Sequence, residues 1–145
     1  STAIRAAGWA EALVLLTGAR GTNAPVASPD GAVATAEVDD SHIEVAVRCG
    51  DPLDELVLRS YCVGAAHMAW SWVTSEALAV SDEGIPLDLT VRSFGVVRAT
   101  ETPRIEVRIE PDDGEPTNGS DAVFTAVAAA TWLHRGTPAD WPTGP

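Results

Sequence analysis

The side chains in this chain with the capacity for chemistry are few and scattered. There are three histidines, His42, His67 and His134, and two cysteines, Cys49 and Cys62. No second histidine stands three or four positions from His67, the spacing that would put two metal ligands on one helix face. On an apolar helix His67 reads as a hydrogen-bonded core residue. His42 opens a strand, and His134 falls in the last turn of a helix, where a cation suits the dipole. Asp112, Asp113 and Glu115 lack the spacing of a calcium loop and read as a solvated turn. Cys62 has no basic neighbour in sequence to activate it, so it reads as a buried, inert thiol. Ser60, Ser71, Ser75 and Ser93 lie in no G-x-S-x-G context, and no glycine-rich phosphate loop is present. Asp121 opens a helix-forming run and reads as a cap carboxylate that accepts backbone N–H bonds. No metal site is expected.

The bulk composition narrows the classes further. At 145 residues the chain is expected to form one domain, with enough core to fold without staples. Twenty-one acidic residues face nine basic ones, all arginine, for a net charge of −12. That balance argues against nucleic acid and against an anionic membrane. An iron–sulfur cluster needs about four protein ligands, more than two cysteines supply. Two well-separated thiols fit a cytoplasmic location, and their pairing is left open. The apolar run Ala12–Leu16 follows Glu11 and precedes no A-x-A site, so no signal peptide is expected. Residues 62–80 include His67 and Glu76, which makes a buried helix a better reading than a membrane span.

The elements that must position these side chains follow from periodicity. Residues 3–17 carry Ile4, Ala7, Trp9, Leu13 and Leu16 near helical spacing, with Gly18 and Gly21 as the stop. NAPVASPDG (23–31) is a loop. Residues 32–38 and 42–48 alternate as a hairpin around Asp39-Asp40-Ser41. Asp51-Pro52 starts a central helix, 52–79, which is apolar on nearly all sides and is therefore expected to be buried on several faces. Its Glu55 and Arg59 are spaced for a surface pair. Strands are expected at 86–92 and 104–110, and a last helix, capped by Ser120 or Asp121, runs to about His134. The sum is an α+β domain over 1–135, with a mixed or antiparallel sheet of about four strands, a long central helix and two further helices. Residues 136–145 form an irregular tail. Of the five tryptophans, Trp9, Trp70, Trp72, Trp132 and Trp141, Trp70 and Trp72 point about 200° apart on one helix. One of that pair is expected to line a pocket, an interface or a second core layer.

Four stretches then carry a likeness. They are YCVGAAHMAWSWVTSEALAV (61–80) followed by Asp82-Glu83-Gly84, IPLDLTVRSFG (85–95), TPRIEVRIEP (102–111) and GSDAVFTAVAAATWL (119–133). In order and spacing they resemble the end of the molybdopterin-binding subunit of the xanthine dehydrogenase/aldehyde oxidase family, a subunit several times longer. The resemblance implies cofactor-facing positions at Met68, Ala69 and Ser71, where the family has a glutamine and two glycines. It implies a second set at Gly119, Ser120 and Asp121, within the stretch Asn118 to Val123 that aligns with the family's Gly-x-Gly-Glu-Pro-Pro run. Asp121 stands at the family's glutamate base and is the only candidate catalytic residue, one methylene shorter. A thioether at Met68 cannot replace an amide that both donates and accepts.

The resemblance with these departures implies a stand-alone, degenerate relative that is not catalytic by itself and holds no cofactor alone. It would act as a binding or assembly module, as a homo-oligomer, because an all-round apolar helix separated from the family's other domains needs a new cover. Two other readings stay open. One is a small subunit of a split molybdenum hydroxylase, an oxidoreductase in which Asp121 is the base. Its molybdopterin and iron–sulfur clusters would be completed by a larger oxidoreductase subunit. The other is a small-ligand module using the cleft between the central helix and the 118–121 turn.

Overall fold

The computed structural model describes residues 2–139, with side chains from Gly8 onward. Trp141 and most of the expected tail lie outside the described residues. The element order is α1 (Thr2–Arg20), β1 (Val26–Ala27), β2 (Val33–Val38), β3 (His42–Arg48), α2 (Glu55–Thr74), β4 (Arg104–Ile109) and α3 (Ser120–His134), with 3-10 turns at Val91–Phe94 and Ala99–Glu101. The expected α+β class holds: three α-helices accompany a four-stranded mixed sheet in the order β1-β2-β3-β4.

The sheet grows from the alternation seen in the sequence. β2 and β3 pair antiparallel, with Ala36 opposite Val45 and Ala34 opposite Val47. Their turn is held by Asp39, whose Oδ1 accepts from Ser41 N at 2.7 Å, Ser41 Oγ at 2.8 Å and His42 N at 2.9 Å. These bonds, those from Ser41 foremost, hold the Asp39 carboxyl below its usual range. β4 joins β3 in parallel, Val45 opposite Val107. Ala34, Ala36, Ile43, Val45, Val47 and Val107 are buried towards the helices. Glu37, Glu44 and Glu106 stand side by side on the other face. One main-chain carbonyl in β2 and one in β4 each accept from a side chain: Asn23 Nδ2 donates to Ala36 O, and Arg59 Nη1 donates to Val107 O.

α3 forms the middle of the helical layer. It packs on α1, α2 and three strands, and residues 122, 123 and 125–132 are buried. Its alanines let neighbours approach, as Gly18 of α1 does for Trp132. A Cβ at Gly18 would lie 2.1 Å from the indole Cζ3. Gly21, at φ +67°, is the glycine that ends α1.

Several expectations are corrected. The loop at 23–31 contains the short strand β1. Residues 86–92 form no strand of the sheet. Val80 and Pro86 make one isolated bridge, and a 3-10 turn follows at Val91. Pro86 has no N–H for a ladder, and Asp88 turns the chain by accepting from Thr90 N at 2.9 Å. α2 starts at Glu55 rather than at 52, because Asp54 Oδ1 accepts from Val57 N at 3.1 Å. It stops at Thr74 rather than 79, where Ser75 N and Glu76 N both turn back to Ser71 O. Its surface is also not covered on all sides. Leu56, Val57, Tyr61, Gly64 and Met68 are exposed.

The acidic loop between β4 and α3 is fastened rather than freely solvated. Asp112 Oδ2 accepts from Gly50 N at 3.1 Å and Oδ1 from Gly114 N at 3.0 Å. The Gly114 and Gly50 amides, with Arg48 nearby, hold the Asp112 carboxyl below its usual range. A depressed carboxyl stabilises the fold above the ordinary value of about 3.9, and the contribution is lost as pH falls through the lowered one. Asp112→Asn is therefore expected to lower the urea midpoint at neutral pH, with the gap to the parent narrowing as the pH falls below the ordinary carboxylate value. A gap that does not change as the pH is lowered would rule out this linkage.

Candidate functional site

The 118–121 turn is built by Asn118. Its Oδ1 accepts from Ser120 N at 3.0 Å and from Ser120 Oγ at 2.7 Å. Its Nδ2 reaches Asp121 Oδ1 at 3.4 Å. The residue before α3 is Gly119, with no side-chain cap of its own. The expectation that Ser120 or Asp121 caps the helix is thus corrected. Asn118 satisfies the first N–H, and Asp121 sits inside the first turn, where its charge still complements the helix dipole.

Three of the six sequence-derived site positions come together. Met68, Ser120 and Asp121 line one cleft of about 250 Å³ between α2 and α3, with Ser60, Tyr61, Gly64, Ala65 and Phe124. Met68 and Phe124 continue into a second cleft of about 410 Å³, walled by Ala10, Glu11, Trp72 and Glu76. Trp72 stacks on Phe124 with ring centroids 5.2 Å apart, while Trp70 is buried. Trp72 is therefore the member of that pair that lines a cleft.

The other three positions turn inward. Ala69 and Ser71 are fully buried, and Ser71 Oγ accepts from Val97 N at 3.0 Å. Gly119 lies against β3, where an added Cβ would stand 3.1 Å from Val47 Cγ2 and 3.2 Å from Cys49 Sγ. A larger cleft, about 520 Å³, lies against the sheet beside Glu37, Glu44, Glu106 and Arg108. It brings together none of the positions the resemblance marks.

The remaining candidates fall into structural roles. His67 Nδ1 is 2.8 Å from Thr102 Oγ1, and His134 Nε2 is 2.9 Å from Asp40 Oδ1. His42 Nε2 lies 3.5 Å from Glu106 Oε1. Cys49 and Cys62 are free thiols, both buried. Burial pushes Cys62 up to about 11, with the neighbouring Cys49 adding to the shift. Burial also raises Cys49, helped by the charge of Asp112. Neither thiol is poised as a nucleophile. Among the described residues no group of three or more His, Cys, Asp and Glu could hold a metal ion. Among them, too, no helix is long and apolar enough to cross a membrane.

With this geometry in view, the fold can be set beside known proteins. Quinoline 2-oxidoreductase from Pseudomonas putida 86 superimposes with a TM-score of 0.57 at 16% identity, over 71% of this chain and 15% of that one. Cu,Mo-CO dehydrogenase in its carbon-monoxide-reduced state superimposes with a TM-score of 0.51 at 13% identity, over 75% of this chain and 15% of that one. The present chain thus spans about a seventh of the length of these solved chains. No family model and no curated protein sequence matches it. At such identities the likeness is one of fold: the domain has the fold of a part of these oxidoreductases.

The donors in the cleft do not fit a pterin held as the resemblance would have it. A thioether stands where an amide is needed. The two positions after it face the core, and the Ser120 hydroxyl is already engaged by Asn118. Sequence reasoning marked Met68, Ser120 and Asp121, but missed Tyr61 and Phe124 as cleft residues and Asn118 as the residue that builds the turn. Asn118 was legible in principle, because Asn two residues before a helix-forming run is a local capping signal.

Proposed function

We propose that this protein is a non-catalytic, cofactor-free relative of the xanthine dehydrogenase/aldehyde oxidase molybdopterin subunit. It acts as a binding and assembly module whose docking face is the outer surface of α2 and its cleft with α3. The observation that carries this reading is the open apolar stripe. Leu53, Leu56, Val57, Tyr61 and Met68 run along α2 and its approach, exposed by 48% to 94%, beside a cleft whose one carboxylate is Asp121. A contiguous apolar patch of this kind marks an interaction surface. In support, the similar solved chains carry this fold as 15% of a longer polypeptide. A domain embedded in that way has faces covered by the rest of the chain.

The test is affinity capture from the native host, comparing the parent with a Leu56→Glu, Tyr61→Glu double variant. Both side chains are exposed, so the fold is expected to survive and circular dichroism would verify it. Loss of the captured complex in the variant is the expected result. An identical set of partners in both would end the docking role of α2.

A second reading is favoured by one observation. Asp121 lines the same cleft as Met68 and Ser120, as the resemblance to a molybdenum hydroxylase would place its base. In that reading the chain is a small subunit of a split oxidoreductase, and capture returns a larger oxidoreductase subunit.

A further inference from the structure

α1 and α2 both pack on α3, and the gap between them is the second of the two joined clefts, about 410 Å³ in volume. Phe124 of α3 and Trp72 of α2 line it, stacked with ring centroids 5.2 Å apart. Met68 stands one turn before Trp72 in the chain, and Glu76 follows just past the end of α2. α1 contributes Ala10, whose small side chain takes up little of the space, and Glu11.

The volume lies in the range of roughly 300–1,000 Å³ usual for small-molecule sites, which combine an apolar lining with a few polar groups that fix orientation. Here the charged groups share one sign. Across both joined clefts they are Glu11, Glu76 and Asp121, and no arginine, lysine or histidine lines either cleft. His67, next to Met68 in the chain, is turned to Thr102 at 2.8 Å. Asp121 is reached by Asn118. Glu11 and Glu76 have no side-chain partner among the described residues.

Two aromatic rings and a polarisable thioether favour an apolar body, and rings also attract a cation through their quadrupole. Two carboxylates without a counter-charge favour the same sign. An anion would meet only repulsion here. The sheet-side cleft lacks the first half of this combination. It has Glu37, Glu44 and Glu106 but no aromatic residue, so it offers charge without a surface for an apolar body.

We infer that the cleft between α1, α2 and α3 binds a small organic cation, a quaternary or protonated amine on an apolar body. The body lies against Trp72, Phe124 and Met68, and Glu11 and Glu76 answer the charge. This site stands apart from the docking role proposed above, whose test rests on Leu56 and Tyr61.

The probe is benzyltrimethylammonium, titrated into isotope-labelled protein and followed by amide NMR. Two controls accompany it: neopentylbenzene, its neutral isostere, and tetramethylammonium, which has the charge without the ring. The benzyl cation is expected to bind more tightly than either, with shifts gathered at Ala10, Met68, Trp72, Glu76 and Phe124. Glu11→Gln and Glu76→Gln should each weaken it about threefold, the worth of one exposed charge pair. Trp72→Leu should weaken it about fivefold. Glu44→Gln removes the same charge from the sheet face and should leave the affinity unchanged. It separates a site from the general pull of a chain that carries −12. Circular dichroism verifies each fold. Neither glutamate is buried, so those two variants decide the matter even where Trp72→Leu does not fold.

Equal losses in Glu44→Gln and Glu11→Gln, or shifts gathered at Glu37, Glu44 and Glu106, would replace the site with diffuse attraction and overturn it. Equal affinity for either control probe would overturn the ligand class. No saturable shift with the benzyl cation would overturn the proposal whole, with the docking reading intact.

Discussion

Gly50→Ala is expected to destabilise the domain by about 2–5 kcal/mol, from two physical sources. Gly50 has φ +79°, and its Cβ would fall 2.1 Å from the Glu115 carbonyl oxygen. The left-handed backbone costs a non-glycine residue about 1–2 kcal/mol. Forcing an atom into a filled space adds about 1–3 kcal/mol. The atoms it meets are main chain, so the whole 111–118 loop has to move. That loop is bound at Gly50 N, at Asp51 N, which donates to Gly114 O at 2.9 Å, and at Thr117 N, which donates to Cys49 O at 2.8 Å. Its displacement would also shift Asn118 and Asp121. Gly31→Ala separates the two sources, because Gly31 has φ +95° but nothing within 4 Å of its Cβ. Its cost should be the backbone part alone, about 1–2 kcal/mol. Urea unfolding of both variants decides, and equal losses would mean that contact with Glu115 contributes nothing.

Trp132→Ala is expected to cost about 3–5 kcal/mol, the usual range for truncating a buried tryptophan. That is a large fraction of the roughly 5–15 kcal/mol available to a typical domain. The indole fills the space left by Gly18 and donates from Nε1 to Pro138 O at 3.2 Å. It therefore joins α1 to α3 and to the chain beyond it. Amide exchange in α1 should accelerate more than in the sheet. Gly18→Leu alone should also destabilise, because the ring has to leave. In the Trp132→Ala background the same change should be neutral or favourable, since it partly refills the cavity. Additive losses would mean that the two positions do not share one space.

The sequence made the sheet legible wherever alternation coincided with a pairing partner. Residues 32–38, 42–48 and 104–110 match β2, β3 and β4 to within a residue at each end. Residues 86–92 alternate as well, yet form no strand of the sheet. Alternation describes which way side chains point, but a strand also needs a neighbour, and Pro86 and Asp88 favour a turn. The limits of α2 were misplaced because two aspartates, Asp51 and Asp54, precede it, and the one with a partner three residues on is the cap. The exposed stripe was not legible at all. Apolarity on every side of a helix gives no indication of which side lacks a cover within the chain. For the site, the resemblance found Met68, Ser120 and Asp121. It could not foresee that Ala69, Ser71 and Gly119 turn inward, because that depends on how Val97 and β3 approach them.

The parallel pairing of β3 with β4 orders the events of folding. Partners such as His42 and Arg104 lie 62 residues apart in the chain, whereas the β2–β3 hairpin closes through the three residues between Val38 and His42. Hairpins form in about 1–10 μs, and pairings that must close long loops are far slower. Among the described elements the helix that fills the centre, α3, is also the last to be synthesised. Until residue 134 has left the ribosome, the hairpin and α2 have no α3 to pack against. The faces of α1, α2 and the hairpin that α3 covers therefore stay open until that helix emerges.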